Sequence, residues 1–329
     1  MKPIFLLMIA LFCFYSCKQQ IENLNSSPHV IQLNTSMNSG LPTNPVIPDG
    51  FYLAGHRGFS AYYPENTISS FLRAIDVGVD ILELDVCISK DSKVVVSHDL
   101  YMSSDFSNKE DGSPVKKVEE NNYILYQMLY EDIKKFDVGS RTTSYSTIRN
   151  LYPEYKPLLS EVFEKCEKYI LDNNKRSVIY LIELKSNRFP EGKWQPASTD
   201  EYCKLVNDVI KTIDSKKIII NSFDGVLLNK WHQNQELGIL ENIPLGYIVN
   251  DTTVTAETFI KRLGFRPELF EPYYNYKSLK NDIDYCHSID SKIFTWTVND
   301  SNSMKLLKNI NVDGIITDFP NTYFKNFPR

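Results

Sequence analysis

The sequence has 329 residues, of which 42% are hydrophobic, and 41 acidic side chains outnumber 36 basic ones for a formal net charge of -5. This balance excludes a typical nucleic-acid binder, because such proteins carry a basic excess. The length suits one large domain or two modest ones, and a single α/β barrel commonly has this size.

The first residues are typical of an export signal rather than of a folded domain. Lys2 precedes an apolar run at 4–14, which is too short to span a bilayer and has the length of a signal-peptide core. The following "FYSC" resembles a bacterial lipoprotein signal, which implies a signal peptide over 1–16 and a lipid on Cys17. A plain secretory signal cut nearby is the alternative. We therefore predict an exported protein, lipid-anchored to a bacterial membrane on its periplasmic or cell-surface side.

The chain after the signal divides into a tether and a domain. Residues 17–50 are rich in Asn, Ser, Pro and Thr and are predicted to form a flexible tether, while 51–329 form the domain. A domain of this size does not need disulfides, so we expect its cysteines to be mostly free and buried. These cysteines are Cys87, Cys166, Cys203 and Cys286.

From residue 51 onward, short apolar segments alternate with amphipathic ones. The predicted strands are "FYLAGH", "DILELDV", "KVVVSH", "SVIYLIELK", "KIIINSF", "PLGYIV", "KIFTWTV" and "DGIITD". The predicted helices between them are 67–77, 158–171, 199–213, 225–235, 279–289 and 301–309. This alternation predicts a parallel sheet, and strands that are apolar on both faces predict burial on both sides. With about eight such units and no repeated glycine-rich phosphate turn, the pattern favours a closed TIM-type (β/α)8 barrel over an open sheet.

Three segments depart from this alternation. Residues 88–94 are too few for a parallel crossover, so "VVVSH" either pairs as an antiparallel hairpin arm or follows an irregular path. The extended stretch "LFEPYYNY" at 269–276 is a candidate for a compensating barrel strand. Residues 100–157, with many Ser, Asp, Asn and Tyr and one helical piece near 125–136, are predicted to be an insertion over one end of the barrel.

Charged side chains occur at the ends of the predicted strands, where the active sites of such barrels lie. Glu83 and Asp85 share one face of their strand, and Glu183 and Lys185 share one face of theirs. Buried carboxylates need a cationic partner, and three of them without zinc-type spacing favour a hard cation, Mg²⁺ or Ca²⁺. A buried salt-bridge network among these four residues and Arg57 is the alternative.

Two of the five histidines, His56 and His98, also close apolar strands. Imidazole titrates near neutral pH without tuning, so one ring can accept a proton from a nucleophile while the other donates one to a leaving group. A hard cation beside them would polarise a phosphoryl group. The pair therefore predicts acid/base catalysis at a phosphate ester.

Eight short motifs occur in an order that resembles the glycerophosphodiester phosphodiesterase family. They are "HRG" (56–58), "PENT" (64–67), "ELD" (83–85), "HD" (98–99), "ELK" (183–185), "SFD" (222–224), "TWTVN" (295–299) and "DGIITDFP" (313–320). The resemblance covers 51–320 and implies a TIM-type barrel that hydrolyses glycerophosphodiesters to glycerol 3-phosphate and an alcohol. It also implies one divalent cation, and attack by the neighbouring glycerol hydroxyl to give a cyclic phosphate that water opens.

The resemblance further implies a role for individual residues. It implies acid/base catalysis by His56 and His98 and metal binding by Glu83, Asp85 and Glu183. Arg57 and Lys185 would bind phosphate, and Trp296 and Asn299 would lie near the substrate. Glu65 and Asn66 would fix the loop after the first strand. The predicted partners are thus a small-molecule glycerophosphodiester and, through Cys17, a membrane. Nucleic acid is excluded, and the oligomeric state is not predicted.

The chain departs from the family's pattern in and beside the insertion. After "HD" it continues "LYMSSDFSNKEDG", Ser92 stands where a glycine is common, and "KPLLSEV" keeps only Pro157 and Glu161 of a Pro-Thr-Leu-x-Glu motif. Two other functions therefore stay open. One is a related barrel enzyme acting on intact phospholipid or phosphoinositide, with an exposed apolar rim at 121–130. The other is a catalytically inactive lipoprotein that captures phosphorylated ligands.

Overall fold

The structure, a computed structural model, describes residues 45–142, 150–275 and 278–328. The chain divides between Pro42 and Thr43, and every described residue belongs to the second unit. The predicted signal peptide, Cys17 and most of the predicted tether lie outside the described residues, so the lipid anchor stays a prediction. Among the residues described, no helix is both long enough and apolar enough to cross a bilayer.

The described residues contain one sheet of nine strands, in which eight parallel strands close into a barrel and β3 is antiparallel. The strands are β1 Tyr52–Gly55, β2 Ile81–Ile88, β3 Val94–Val96, β4 Ile179–Leu184, β5 Ile218–Ser222, β6 Leu245–Val249, β7 Leu269–Pro272, β8 Lys292–Thr295 and β9 Gly314–Thr317. β1 pairs with β2 on one side and with β9 on the other, which closes the barrel. The predicted TIM-type fold is confirmed.

Helices follow most of the strands, as the alternating pattern predicts. In the described chain they are α1 Ile68–Val77, α2 Tyr130–Ile133, α3 Leu159–Asp172, α4 Thr199–Ile210, α5 Gly225–Glu236, α6 Ala256–Leu263, α7 Leu279–Ser288, α8 Ser301–Asn309 and α9 Pro320–Asn326. The six predicted helices correspond to α1, α3, α4, α5, α7 and α8. Polar side chains cap the amino ends of α1, α4, α5, α6 and α8. At α1 the Thr67 hydroxyl accepts a hydrogen bond from Ser70 N at 3.3 Å, which stabilises the start of the helix.

The short link after β2 makes a hairpin. β3 pairs antiparallel with the second half of β2, where Val86 faces Val96 and Ile88 faces Val94. β1 pairs with only the first residues of β2, so β3 continues the same edge beyond the end of β1. The hairpin alternative is therefore the right one. The eighth parallel strand is β7, from the stretch "LFEPYYNY".

The barrel interior is filled by apolar side chains near the amino ends of the strands. This cluster comprises Ile47, Ala54, Ile81, Leu181, Ile219, Leu269, Phe294 and Ile316. Ile47 precedes the first strand and is 4% exposed. The packed domain therefore begins before residue 51, and the end of the predicted tether is part of it.

The insertion has a small apolar core of its own. Met102, Val115, Leu125 and Ile133 pack against Cys87 of β2. The apolar side chains of 121–130 are mostly used in this way, so the described insertion has no continuous exposed apolar rim. The four cysteines of the domain are buried and free, as predicted.

Candidate active site

Three carboxylates from two neighbouring strands form an acidic cluster at the carboxyl ends of the barrel strands. The register pairs Asp85 on β2 with Glu183 on β4, and Glu83 lies two residues earlier on the same face of β2. One oxygen from each group lies within 4.8 Å of the others, and all three side chains are buried. Carboxylate oxygens are the ligands that Mg²⁺ and Ca²⁺ prefer. The residues present therefore fit a hard divalent cation.

Two basic side chains offset part of the negative charge of this cluster. Lys185 Nζ lies 2.7 Å from Glu183 Oε1 and 3.5 Å from Asp85 Oδ1, and Arg57 Nε lies 3.5 Å from Asp85 Oδ2. Burial and the charge of Asp85 raise the pKa of Glu83 above its usual range. At Asp85 burial acts in the same direction, but attraction to Lys185 and other basic neighbours outweighs it and lowers the pKa. A bound cation would stabilise the ionised form of Glu83.

The loop after β1 holds one ligand of the cluster in place. Asn66 Nδ2 donates to Asp85 Oδ2 at 2.8 Å, and the Asp85 backbone N–H donates back to Asn66 Oδ1 at 3.2 Å. Asn66 has a φ of 56°, in the left-handed region that asparagine adopts more readily than most residues. The side chain therefore fixes both the loop and the carboxylate.

Arg57 lies between this loop and the cluster. Its backbone N–H donates to Glu83 Oε2 at 2.7 Å, and its Nη1 donates to Glu65 Oε1 at 2.9 Å. Its buried Nε has no hydrogen-bond acceptor among the described residues. The guanidinium is therefore oriented by Glu65 and keeps a spare donor, which is the chemistry needed to hold a phosphate oxygen.

His56 follows β1 and is oriented by an acidic residue from the last strand. Its Nδ1 lies 2.6 Å from Oδ1 of Asp318, the residue after β9. Asp318 also accepts hydrogen bonds from Ser60 Oγ at 2.7 Å and from Asn299 Nδ2 at 2.7 Å. With Nδ1 engaged, the ring presents Nε2 for proton transfer. Asn299, predicted to lie near the substrate, contacts Asp318, the partner of His56.

The sequence reasoning missed Asp318, although the signal was present. The residue ends the apolar segment "DGIITD" in the same way that His56 ends "FYLAGH". Burial lowers the pKa of His56, but Asp318 outweighs this and raises the pKa above its ordinary value. The same attraction lowers the pKa of Asp318. The ion pair therefore adds stability below the ordinary histidine pKa, and this contribution is lost as the pH rises through the higher folded value.

Asp318→Asn is expected to lower the pKa of His56, because the ring loses its carboxylate partner. If neutral His56 accepts the proton, the acidic limb of the pH-rate profile moves to lower pH. The maximal rate also falls by about tenfold to a hundredfold, as for loss of other groups that orient a reactive imidazole. The pH profile of kcat/KM measures both effects. An unchanged acidic limb would contradict the role given to Asp318.

His98 stands at the end of the hairpin that β3 makes with β2. Its Nδ1 lies 3.0 Å from Asp99 Oδ1, and its side chain is 34% exposed. The Ser97 N–H donates to the Asp85 backbone oxygen at 2.9 Å, so this turn is tied to the strand that carries two carboxylates of the cluster. Lys156 is buried and donates to Ser97 Oγ at 2.8 Å. This lysine, from the end of the insertion, was not predicted to support the site.

One cavity of about 150 Å³ joins these groups. Both predicted histidines line it, together with Glu83, Glu183, Arg57, Lys185, Phe223 and Trp296. The Trp296 ring meets Phe223 at a centroid distance of 5.5 Å, and its Nε1 donates to the backbone oxygen of Glu271 at 2.8 Å. The predicted acid/base, metal and phosphate residues thus share one cavity with an aromatic wall, apart from Asp85, which completes the acidic cluster.

A further buried carboxyl group lines the cavity and was not predicted. Glu271 of β7 is fully buried and accepts hydrogen bonds from Asn221 Nδ2 at 3.0 and 3.1 Å. Its side chain passes over Gly246, where an added Cβ would lie 2.4 Å from Glu271 Oε1. Burial raises the pKa of Glu271 to about 8.

The model of the glycerophosphoryl diester phosphodiesterase family matches residues 56–322. The chain belongs to this family. A glycerophosphodiester phosphodiesterase of Caldanaerobacter subterraneus is 29% identical over 271 residues, which cover 81% of this chain and 93% of the relative. A glycerophosphodiester phosphodiesterase of Bacillus altitudinis is 26% identical and covers 82% of this chain and 95% of its own.

Solved structures support the same fold. The structure of an Oleispira antarctica phosphodiesterase in complex with the product sn-glycerol-3-phosphate superimposes with a TM-score of 0.65 at 20% identity. The match covers 85% of this chain and 98% of the other. Membership of the glycerophosphoryl diester phosphodiesterase family therefore agrees with the closed barrel.

Proposed function

We propose that the protein hydrolyses glycerophosphodiesters to glycerol 3-phosphate and an alcohol, with one divalent cation and two histidines. The observation that carries this proposal is the cavity that joins His56, His98, Arg57 and Lys185 to the acidic cluster. General acid/base groups, anion-binding groups and cation ligands are the three components that cleavage of a phosphodiester requires.

Two sets of residues at the cavity are assigned to phosphate binding: the carboxylates that would hold the cation, and two basic side chains. Glu83, Asp85 and Glu183 would hold the cation, which when bound polarises the phosphoryl group and offsets the charge that develops on its oxygens. Arg57, which lines the cavity and is oriented by Glu65, donates from its guanidinium to a phosphate oxygen. Lys185 contributes a second positive charge, and its contact with Glu183 at 2.7 Å keeps the ammonium beside the cluster.

Two proton transfers are assigned to the histidines. His56 accepts the proton of the attacking hydroxyl at Nε2, because Asp318 stabilises the imidazolium that forms. A bond then forms between the attacking oxygen and phosphorus, and the bond from phosphorus to the alcohol oxygen breaks. His98 donates a proton to that oxygen, so the alcohol leaves neutral. A water molecule opens the resulting cyclic phosphate by the same transfers in reverse.

The proposal is tested by release of glycerol 3-phosphate from glycerophosphocholine and glycerophosphoethanolamine. We expect no release after treatment with EDTA and restored release on addition of Mg²⁺ or Ca²⁺, because the acidic cluster needs a cation to bind phosphate. The cation that restores activity is then identified directly. Release that persists at full rate in EDTA would contradict the metal, and no release with either cation would contradict the substrate class.

We also propose that the enzyme is exported and held at a membrane by a lipid on Cys17. The support is the short apolar run followed by "FYSC". The mass of the mature N-terminal peptide tests this directly. A diacylated cysteine at the N-terminus is expected, and an unmodified N-terminus elsewhere would overturn the proposal.

A further inference from the structure

A groove of about 690 Å³ opens beside the candidate active site. It lies at the carboxyl ends of β4, β5 and β6 and shares Glu183, Lys185 and Phe223 with the smaller cavity. If a phosphate binds between the histidines, as the proposed function requires, the group esterified to it extends into this groove. Its volume falls within the range of about 300 to 1,000 Å³ that is usual for small-molecule sites.

Asp224 is the acidic side chain that lines the groove but not the smaller cavity, and its charge is already offset by hydrogen bonds within the protein. Asp224, at the amino end of α5, accepts hydrogen bonds from Ser186 Oγ at 2.6 Å, Arg188 Nε at 2.8 Å and the Val226 N–H at 2.9 Å. A carboxylate with three donors, one of them charged, has little capacity left for a cationic ligand. Asp224 therefore orders the wall of the groove instead of attracting a positive head group.

A third positive charge, that of Arg262, lines the groove, and it also acts on Asp251, which lies outside the groove lining. Arg262, near the end of α6, is exposed and makes no hydrogen bond or ion pair with any residue that the structure describes. Lys185 and Arg188 are each paired with one carboxylate, Glu183 and Asp224. The groove therefore carries a net positive charge, which attracts anions and repels cations.

Each phenylalanine ring of the groove lies beside a cation of the protein. The Arg188 guanidinium lies 5.9 Å from the ring centroid of Phe189, and Lys185 Nζ lies 5.9 Å from that of Phe223. Ring faces of this kind are what bind quaternary ammonium groups in other proteins. A choline head group would therefore meet a cation of the protein beside each of these rings, and a carboxylate that already accepts three hydrogen bonds.

We propose that this groove is the head-group subsite and that it selects an anionic head group, such as an inositol phosphate, over choline. Arg262 is the specificity-determining residue. The proposal rests on the proposed function, since the reaction at the phosphate is the one described above.

The test compares kcat/KM for three soluble substrates at low ionic strength in wild type and in Arg262→Gln. The substrates are glycerophosphoinositol 4-phosphate, glycerophosphoinositol and glycerophosphocholine. We expect wild type to prefer the phosphorylated diester over glycerophosphocholine by about tenfold or more, and Arg262→Gln to reduce this ratio by about threefold to fivefold. The effect of the substitution should shrink as salt is added, because the charge is exposed.

Arg176→Gln is the matched control, because it removes the same charge from an exposed arginine at the amino end of β4, where it pairs with Asp80. The ratio of kcat/KM for the phosphorylated diester to kcat/KM for glycerophosphocholine should be the same in Arg176→Gln as in wild type. A wild-type preference for glycerophosphocholine, or an equal ratio in Arg262→Gln and wild type, would overturn the proposal. A further arm with phosphatidylinositol 4-phosphate in vesicles distinguishes a lipid source of the head group from the soluble diester.

A binding measurement separates failure of this proposal from failure of the proposed function. If none of the diesters is cleaved, the proposed function fails. Calorimetric titration with inositol 1,4-bisphosphate then still tests the groove. Binding that weakens about threefold or more in Arg262→Gln would support the subsite, and identical binding in both proteins would overturn it.

Discussion

Asp85→Asn is expected to reduce kcat/KM by about a thousandfold, which corresponds to loss of several kcal/mol of transition-state stabilisation by a metal ion. Asp85 is 1% exposed and stands at the centre of the acidic cluster. The amide has nearly the same shape, so Asn66 keeps an acceptor for its hydrogen bond. The substitution therefore removes the charge that a cation needs while changing the packing little.

Cation binding gives a second measurement that does not depend on turnover. A ligand that binds only the folded state raises the unfolding temperature, so added Mg²⁺ or Ca²⁺ should stabilise wild type and leave Asp85→Asn nearly unaffected. Asp282→Asn is the control, because Asp282 is equally buried and bonded but lies in α7 outside the site. Full activity of Asp85→Asn would remove this residue from the metal site.

His56→Asn and His98→Asn are each expected to lower turnover of glycerophosphocholine by about a hundredfold to ten-thousandfold, the usual contribution of general acid/base catalysis. A diester with p-nitrophenol as leaving group separates the two roles. Nitrophenolate leaves without a proton, so His98→Asn should recover most of its activity on this substrate. His56→Asn should stay impaired, because the attacking hydroxyl still has to lose its proton.

The outcome can also contradict either assignment. Recovery of His56→Asn in place of His98→Asn would exchange the acid and the base. Equal activity of both variants and wild type would show that neither histidine transfers a proton. His232→Asn serves as the control, since His232 lies on α5 against the ring of Phe265 and contacts no residue of the site.

The periodic pattern of the sequence was sufficient to predict the barrel. Buried parallel strands alternate with amphipathic helices, and this alternation has few other solutions. The helices α6 and α9 were missed because they are short, eight and seven residues. The hairpin at β3 was one of two open alternatives, since a short link excludes a crossover but does not select what replaces it.

The residues of the candidate site that could be predicted are those whose position in the sequence is unusual for their type. Glu83, Asp85 and Glu183 interrupt apolar strands, and a charged group in such a position needs an explanation. Lys156 carried no such signal, because a lysine in a polar insertion is ordinarily exposed and only the folded chain buries it. Asn299 was matched to a motif, but its contact with Asp318 depends on how the last two strands lie side by side.

The structure of the insertion tests the alternative hypothesis that the protein acts on intact phospholipid. That reading required an exposed apolar rim at 121–130, and the described side chains there mostly pack into the insertion's own core. These side chains therefore do not form the rim that this hypothesis requires. The groove lined by Arg262 is the surface that we propose selects the head group of the substrate.

Closure of the barrel has a consequence for how the protein becomes active during its synthesis. β1 pairs with β9, and the hydrogen bond between His56 and Asp318 joins residues 262 positions apart. Nearly the whole chain must leave the ribosome before this contact can form. A nascent or truncated chain can carry the acidic cluster while lacking the contact that orients His56, so under the proposed mechanism hydrolysis begins only when the last strand docks.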